Sequence, residues 1–424
     1  MMMFLFVLAY LVLVLLRPQD YPQFAGLGVP ILPLAMVSAT AAWAFSREKR
    51  FNAPQYGLLL SFFLVICVSL AATGWIGGVQ LAFATFLPCV VSFFLLANAV
   101  NTPAYTRVVM AVMALCAFVM AVHGVEQKSL GTGWTGQPLV DDGRIQYVGI
   151  FSDPNDLGML FVISIPMAVY LGSRGGFLGL RRLFWFCGSL LLLYGIYLTN
   201  SRGSFLAVVA MTAVYIWIRR GGIWAAMLGA AALVVMRLMP SRLDELNVQE
   251  SSASGRIEAW YEGMQMFITH PILGVGAGQF TEYHYLTAHN SIILVLAETG
   301  IIGFALWFAF VGYGFWMMYR IVRFEPELED EDDVLEWQDA RRVALALLVA
   351  LAGFSASAFF LSRSYVILLY MLAALVVAHH SNVLERFPAL GELRLGNHIV
   401  RWGVLTVAAV VGFYLVVKVL LAMG

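Results

Sequence analysis

The sequence predicts an all-α integral membrane protein with about 12–13 transmembrane helices. Of its 424 residues, 61% are hydrophobic and only 12% are charged, and the mean hydropathy is +0.83. A chain with so little polar surface cannot cover a soluble globule. Its apolar residues also form long continuous runs, whereas the strands of a membrane β-barrel alternate apolar and polar residues. The bilayer is therefore the predicted environment of the whole chain.

Thirteen apolar runs lie along the chain, and we interpret residues 1–424 as one polytopic membrane domain. A spanning helix needs about 20 residues, so several of these runs must be extended by flanking residues to cross the bilayer. The first run, Met1–Leu16, lacks a basic leader and a small-residue cleavage site, which favours a retained helix over a removed signal peptide. The runs are 1–16, 28–45, 56–72, 79–97, 108–122, 157–171, 183–198, 205–218, 223–238, 291–318, 343–361, 365–378 and 404–423.

The distribution of Lys and Arg predicts that the N-terminus lies in the cytoplasm. With that orientation, sixteen of the 25 cations fall in inner segments and nine in outer segments. Cytoplasmic loops carry such an excess of Lys and Arg. The orientation predicts outer, periplasmic segments at 124–156 and 239–288, an acidic cytoplasmic loop at 321–342 and a second cytoplasmic loop at 379–400.

Charge and cysteine usage exclude several function classes. Lys plus Arg balance Asp plus Glu at 25 each, so no basic surface indicates a nucleic-acid partner. The four cysteines lie far apart inside apolar runs, which is typical of core residues and not of metal ligands or disulfides. Acidic residues 325–336 are interpreted as a solvated connector. The alternative is that Asp330-Glu331-Asp332 forms an Asp-x-Asp metal site, as in nucleotide-sugar glycosyltransferases. We predict no metal and no cofactor.

The first candidate for chemistry is His289, which lies where the long outer segment enters an apolar helix. Histidine has an ordinary pKa of about 6.5, so it can accept a proton near neutral pH. The competing interpretation is that His289 only satisfies hydrogen bonds at the helix end, where either His289 or Asn290 can cap the exposed amides.

Two arginines occupy similar boundary positions upstream. Arg202 lies in the short turn Thr199–Ser204 between two apolar runs, where its planar guanidinium suits phosphate oxygens, unless it only contacts lipid headgroups. Arg256 precedes Trp260 by one helical turn, and stacking on that ring is its alternative role. If these arginines and His289 converge, one base and two cations face an anionic lipid substrate.

Three further residues are candidates for supporting roles: Asn155, Arg144 and Glu298. Asn155 lies in the helix start Ser152–Asp156, where capping explains it as well as contact with a sugar does. Glu298 lies about 13 Å deeper than His289 on nearly the opposite helix face, so we expect it to find an arginine or a helix end instead. Gly300 and Gly303 permit a helix break or close helix contact there. Lys128, Arg242 and Arg363 are the weaker outer candidates.

Five motifs follow one another in the middle of the chain. They are Phe151-Ser-Asp-Pro-Asn155, Thr199-Asn-Ser-Arg-Gly203, Gly255-Arg-Ile-Glu-Ala-Trp260, His270-Pro-Ile-Leu-Gly-Val-Gly-Ala-Gly278, and His289-Asn290 followed by Gly300 and Gly303. In this order they resemble the O-antigen ligase and O-antigen polymerase superfamily of bacterial envelope glycosyltransferases. The resemblance covers about residues 145–310, and outside this region the chain matches only in hydropathy.

The resemblance implies a metal-independent type C glycosyltransferase in the bacterial inner membrane. Its glycan donor is carried on undecaprenyl diphosphate, and its acceptor is a hydroxyl of a glycan, of lipid A core or of a protein. By the family pattern, His289 is the base that deprotonates the acceptor, and Arg202 and Arg256 bind the diphosphate. Ligase and polymerase share this chemistry.

The alternative from another class is a secondary transporter or carrier for an anionic solute or lipid. Transporters place ionisable groups near the bilayer midplane and often consist of two related halves. Here the candidate cations lie at the predicted outer boundary, and no paired halves are visible in the sequence.

Overall fold

A computed structural model shows a helical membrane protein. It describes residues 1–423 apart from 25, 27, 175–178 and 239–245, and without the side chains of 142, 232–254 and 423. This part of the chain contains two isolated β-bridges and no strand. The helices are α1 Met2–Leu16, α2 Ile31–Ala44, α3 Pro54–Ala72, α4 Ile76–Thr85, α5 Leu87–Ala99, α6 Pro103–Leu130, α7 Pro154–Ser173, α8 Leu180–Thr199, α9 Arg202–Arg220, α10 Gly222–Leu238, α11 Leu246–Thr269, α12 Phe280–Tyr283, α13 Ser291–Arg323, α14 Glu331–Ala358, α15 Ile367–Arg386 and α16 Ile399–Met423.

The all-α membrane fold is confirmed. Within the described residues, eleven segments are long and apolar enough to cross a membrane, with α4 and α5 together forming one of them. Two shorter apolar helices, α2 and the described start of α10, account for the remaining runs. Each predicted run thus corresponds to a helix, because backbone groups inside a bilayer must find their hydrogen bonds within their own segment.

Three helices form the interior of the bundle. The apolar windows of α7, α14 and α15 are 83%, 72% and 89% buried, against 17% for α9 and 11% for α16. α7 packs against α8 and α14, and α15 packs against α5. α9 packs on α14, and α11 packs on α13 and α16. The helices that carry Arg202 and Arg256 therefore lie at the edge of the bundle, beside its buried centre.

The loops form two groups, one at each end of the bundle. The site end includes residues 131–153, 200–201, 270–290 and 359–366. It is held together by bonds from Ile145 N to Leu198 O at 3.3 Å and from Thr287 Oγ1 to Ser362 Oγ at 2.8 Å. The opposite end contains residues 45–53, 100–102, 324–330 and 387–398, which an ion pair of Arg50 with Glu385 at 2.6 Å helps to join.

Several helices continue into the ranges that the sequence predicted to be loops. α6 continues to Leu130, so the first seven residues of the predicted outer segment 124–156 are helical. The second, 239–288, contains α11 and α12 and is not an extended loop. Only 324–330 of the predicted loop 321–342 and 387–398 of 379–400 lie between helices. Hydropathy marks where the apolar residues stop, whereas polar residues can continue the same helix beyond the bilayer.

Candidate functional site

The turn that carries His289 ends at the start of α13. Asn290 caps this helix, since its Oδ1 accepts hydrogen bonds from Ile292 N at 2.9 Å and Ile293 N at 3.1 Å. His289 itself is half-buried, and its backbone has a left-handed conformation with φ 47°. Within the described part of the chain, no hydrogen bond to its ring is present. Asn290 therefore performs the capping, and the imidazole is not used for it.

The charges around His289 come from three other segments. Burial lowers the pKa of its imidazole, the positive charges of Arg256 and Arg363 lower it further, and the negative charge of Asp153 opposes them. The ring is therefore neutral near pH 7, which is the form that accepts a proton. The same interactions show that Arg256, Arg363 and Asp153 lie close enough to His289 for their charges to act on it.

Arg202 and Arg256, which we call the arginine pair, lie near each other. Partial burial lowers the pKa of the Arg256 guanidinium, and the positive charge of Arg202 lowers it further. Among the described residues, neither guanidinium has an acidic partner or a hydrogen bond. Two adjacent cations without a counterion repel each other, and an anion with several oxygens relieves that repulsion.

Local structure explains why the arginine pair is directed to this end. Arg202 is the first residue of α9, which Ser201 caps by accepting from Ser204 N at 3.2 Å. Exposed amides at a helix start favour anions. Trp260 packs edge-to-face on Phe359 with ring centroids 5.6 Å apart, and no stacking of Arg256 on Trp260 occurs. The structure thus does not support the stacking role.

Arg144 and Asn155 join the segments around the arginine pair. The Arg144 Nε donates to Thr199 O at 2.8 Å, and its Nη2 donates to Asn155 Oδ1 at 3.1 Å. Asp153 caps α7 by accepting from Asn155 N at 2.7 Å, which confirms the predicted helix start. These bonds hold the α8–α9 turn beside the start of α7.

Arg363, ranked low from the sequence, is a central contact of the site. It pairs with Asp153, Nη2 to Oδ2 at 3.2 Å, and with Asp156. Its backbone N donates to Ser291 Oγ at 2.8 Å, directly after Asn290. Partial burial alone would lower the pKa of this guanidinium, but the hydrogen bond and negative charge of Asp156, with the charge of Asp153, raise it. The signal available in the sequence was a lone cation in a short polar turn between two apolar runs.

Glu298 is buried in α13, nine residues beyond His289 in the chain. It is 2% exposed, and its Oε1 accepts from Phe280 N, the first residue of α12, at 3.2 Å. The start of α12 is therefore one of its partners, and the Gly278 amide and the Tyr365 hydroxyl also interact with the carboxylate. Gly300 has φ 61° and ψ −165°, so α13 breaks two residues after Glu298.

The remaining candidates lie elsewhere or have other contacts. Asp330 caps α14 at the opposite end by accepting from Asp332 N at 2.8 Å. Lys128 Nζ donates to Gly143 O at 2.6 Å. Arg242 falls outside the described residues. No three His, Cys, Asp or Glu side chains of the described chain gather as metal ligands would.

Comparison with known proteins gives a match within residues 145–310, the region that contains the five motifs. Residues 187–308 match the family model described as O-antigen ligase. The teichuronic acid biosynthesis protein TuaE of Bacillus subtilis (strain 168) is 27% identical over 233 residues, which is 48% of this chain and 46% of that protein. The chain thus spans about half the length of this curated relative. These matches confirm the resemblance to the O-antigen ligase superfamily, and the matched segment contains Arg202, Arg256 and His289.

Proposed function

We propose that the protein transfers a glycan from undecaprenyl diphosphate to an acceptor hydroxyl at the periplasmic face of the bacterial inner membrane. One observation carries this proposal. His289 is neutral, is not used in capping, and lies within charge range of Arg256, which in turn lies beside Arg202. Transfer from a lipid diphosphate requires a proton acceptor beside cations that can bind the phosphates, and among the described residues neither guanidinium has an acidic partner.

The arginine pair binds the diphosphate. During transfer, the bond between the anomeric carbon and the phosphate oxygen breaks, and its electron pair passes to the diphosphate. The developing charge is stabilised by guanidinium groups that are already in place and partly desolvated, where such interactions are stronger than in water. Each planar guanidinium can contact two phosphate oxygens at once.

His289 activates the acceptor. Its neutral imidazole takes the proton of the acceptor hydroxyl as that oxygen bonds to the anomeric carbon, and the imidazolium then releases the proton to water. General-base assistance of this kind contributes about 10²- to 10⁴-fold to a rate. Burial and, after it, the positive charges of Arg256 and Arg363 lower the pKa of this imidazole and so favour its neutral form.

Arg363 has a different role from the arginine pair. Its charge is balanced by Asp153 and Asp156, so it contributes little net attraction for a diphosphate. Its backbone and side-chain contacts join the starts of α7 and α13. We therefore assign Arg363 to holding the base in place, and the diphosphate to Arg202 and Arg256.

The acceptor is a hydroxyl of a growing glycan, of lipid A core or of a protein. Ligase and polymerase reactions differ only in this acceptor, and both are served by the same base and the same leaving group. A relative named for teichuronic acid biosynthesis favours a polysaccharide as the transferred group.

The decisive experiment measures glycan transfer by the protein in nanodiscs, with variants His289→Ala, Arg202→Ala and Arg256→Ala compared at equal folded amount. We expect each to lower transfer by about 10²-fold or more. Arg202→Lys should also lose activity, because an ammonium cannot reproduce the guanidinium geometry. His398→Gln at the opposite end is the control and should transfer normally.

Two results would contradict the proposal. Normal transfer by His289→Ala would exclude His289 as the base, and normal transfer by Arg202→Lys would exclude two-point binding of phosphate by Arg202. Movement of an anionic solute into vesicles, with no transferred glycan and no effect of His289→Ala, would favour a carrier instead.

A further inference from the structure

At the break in α13, backbone groups of the helix form hydrogen bonds with the glycine-rich segment 271–278 instead of with one another. In an unbroken helix, Ile301 N would donate to Ala297 O and Ile302 N to Glu298 O. Instead, Ile301 N donates to Pro271 O at 2.8 Å and Ile302 N to Ile272 O at 3.5 Å. The two freed carbonyls are taken up in the same way, since they accept from Val275 N at 2.9 Å and Gly276 N at 3.0 Å.

Two glycines make this close approach possible. A Cβ atom on Gly274 would lie 2.3 Å from the carbonyl carbon of Glu298, and one on Gly300 would lie 2.4 Å from that of Ile272. Both glycines also have positive φ, at 69° and 61°. α3 adds a further bond, because Ser69 Oγ lies 2.7 Å from Leu273 O and 3.0 Å from Glu298 O. Segment 271–278 is therefore fixed on α13 by backbone contacts.

The Glu298 side chain also holds the residues that follow segment 271–278. Its bond from Phe280 N holds the first residue of α12 on α13. Phe280 is 1% exposed and packs against α11, where a Cβ on Gly263 would lie 3.0 Å from its ring. Two turns earlier on α11, a Cβ on Gly255 would lie 3.4 Å from Leu286 Cδ1. The loop held by Glu298 thus contacts α11 beside Arg256 and leads directly to His289.

We propose that Glu298 is a positioning residue, which fixes the loop between Phe280 and His289 against α11 and so sets the distance between His289 and Arg256. This inference rests on the proposed function. The Gly278 amide and the Tyr365 hydroxyl also interact with the Glu298 carboxylate. Its hydrogen bond from the Phe280 amide is the one that holds the loop, and this bond needs an acceptor oxygen at that depth and not a negative charge. A glutamine retains such an oxygen at the same reach, whereas alanine removes it and aspartate withdraws it by one methylene.

Steady-state transfer kinetics of E298Q, E298A and E298D test this role with the full-length protein in nanodiscs. We expect kcat of E298A and E298D to fall by about 10²-fold, the cost of a misplacement of about 1 Å at a reacting centre, with the KM for the donor nearly unchanged. The kcat of E298Q should remain within about threefold of the parent value, because glutamine keeps an acceptor oxygen and only the charge of the acceptor is lost. E298D serves as the second variant if E298A does not fold.

Two further measurements separate positioning from a general loss of structure. In E298A the acid limb of the pH profile should move to higher pH, because His289 loses the nearby positive charge of Arg256. Amide hydrogen exchange should show faster exchange at Phe280 in E298A and E298D, with the parent rate kept in E298Q.

The outcomes distinguish this inference from the proposed function. E298Q as inactive as E298A, with Phe280 still protected, would show that the charge is required and would overturn the inference. Normal kcat in E298A despite an exposed Phe280 amide would overturn it as well. Normal transfer by His289→Ala would instead refute the proposed function, whatever the exchange rates at Phe280.

Discussion

At the residue scale, the backbone of His289 is as informative as its side chain. Only three non-glycine residues of the described chain have positive φ: Arg17, Asn200 and His289. Two of these three adjoin the candidate site, since Asn200 lies two residues before Arg202. Asparagine and histidine adopt this conformation more often than most non-glycine residues, but it still costs a residue with a Cβ atom up to about 1–2 kcal/mol. A strained residue at a candidate base is typical of a site held in place by its surroundings.

This strain leads to a prediction about stability. His289→Gly and His289→Ala should both be inactive, but the alanine variant should be less stable than the glycine variant by about 1 kcal/mol, because only glycine adopts φ 47° without a steric cost. Thermal unfolding in detergent, followed with both variants in parallel, measures the difference. Equal stability would contradict the left-handed conformation.

The lowered pKa of His289 predicts the pH dependence of transfer. A base is active when it is neutral, so activity is complete above the pKa of the folded protein and is lost as the pH falls through it. Because burial, Arg256 and Arg363 lower this pKa below 6.5, activity should persist at pH 6.5 and fall only in more acidic solution.

Removing one of those charges provides the test. Arg256→Gln retains part of the side-chain volume but removes the charge, so the acid limb of its residual activity should lie at higher pH than that of the parent. The log of kcat/KM against pH measures both limbs. An acid limb of the parent enzyme above pH 6.5 would contradict the assigned environment of His289.

At the element scale, the sequence allowed either a helix break or a close helix contact near Gly300, and it did not indicate which segment would meet α13 there. Gly300 and Gly303 marked a site where α13 could break, and the break occurs at Gly300. What no local pattern contains is the partner, segment 271–278, which replaces the missing helical hydrogen bonds. Such an exchange depends on two segments meeting in three dimensions, and hydropathy and helix-end signals describe one segment at a time.

The break predicts an unequal effect of two glycine substitutions. Gly300→Ala should destabilise the protein by about 2 kcal/mol or more and abolish transfer, because its Cβ meets backbone atoms of Ile272 and its φ is positive. Gly412→Ala is the matched control, since it lies inside α16 with no atom within 4 Å of the added Cβ. The control should be neutral or slightly stabilising. Thermal unfolding and transfer of both variants check this, and equal effects would contradict it.

The limits of the sequence are clearest for Arg363. Its turn was visible as polar residues between apolar runs, but its partners Asp153 and Asp156 lie some two hundred positions away in the chain. Arg202, Arg256 and His289 were selected because a cation or a base at a membrane boundary is costly unless it has a use. A neutralised arginine gives the same local signal as a free one. Only the tertiary structure distinguishes Arg363 from the arginine pair.

At the scale of the whole molecule, ion pairs join helices at both ends of the bundle. At the opposite end, Arg107 and Arg174 both pair with Asp339, at 3.3 and 3.4 Å, and join α6 and α7 to α14. At the site end, Arg363 is paired, whereas Arg202 and Arg256 have no acidic partner among the residues described. The arginine pair lies beside His289, at the end where the starts of α7, α9 and α13 meet.

The orientation of this bundle in the membrane gives the last prediction. The excess of Lys and Arg in the segments of the opposite end predicts that this end is cytoplasmic and the site end periplasmic. Tyr283→Cys places a thiol at the site end, where the native side chain is 55% exposed, and Leu335→Cys places one at the opposite end, where it is 63% exposed. In a Cys187→Ser background, a membrane-impermeant maleimide should label the first variant in intact spheroplasts and the second only after permeabilisation, with the parent as control. The reverse pattern would place the arginine pair and His289 in the cytoplasm, and a donor whose glycan faces the periplasm would then not reach them.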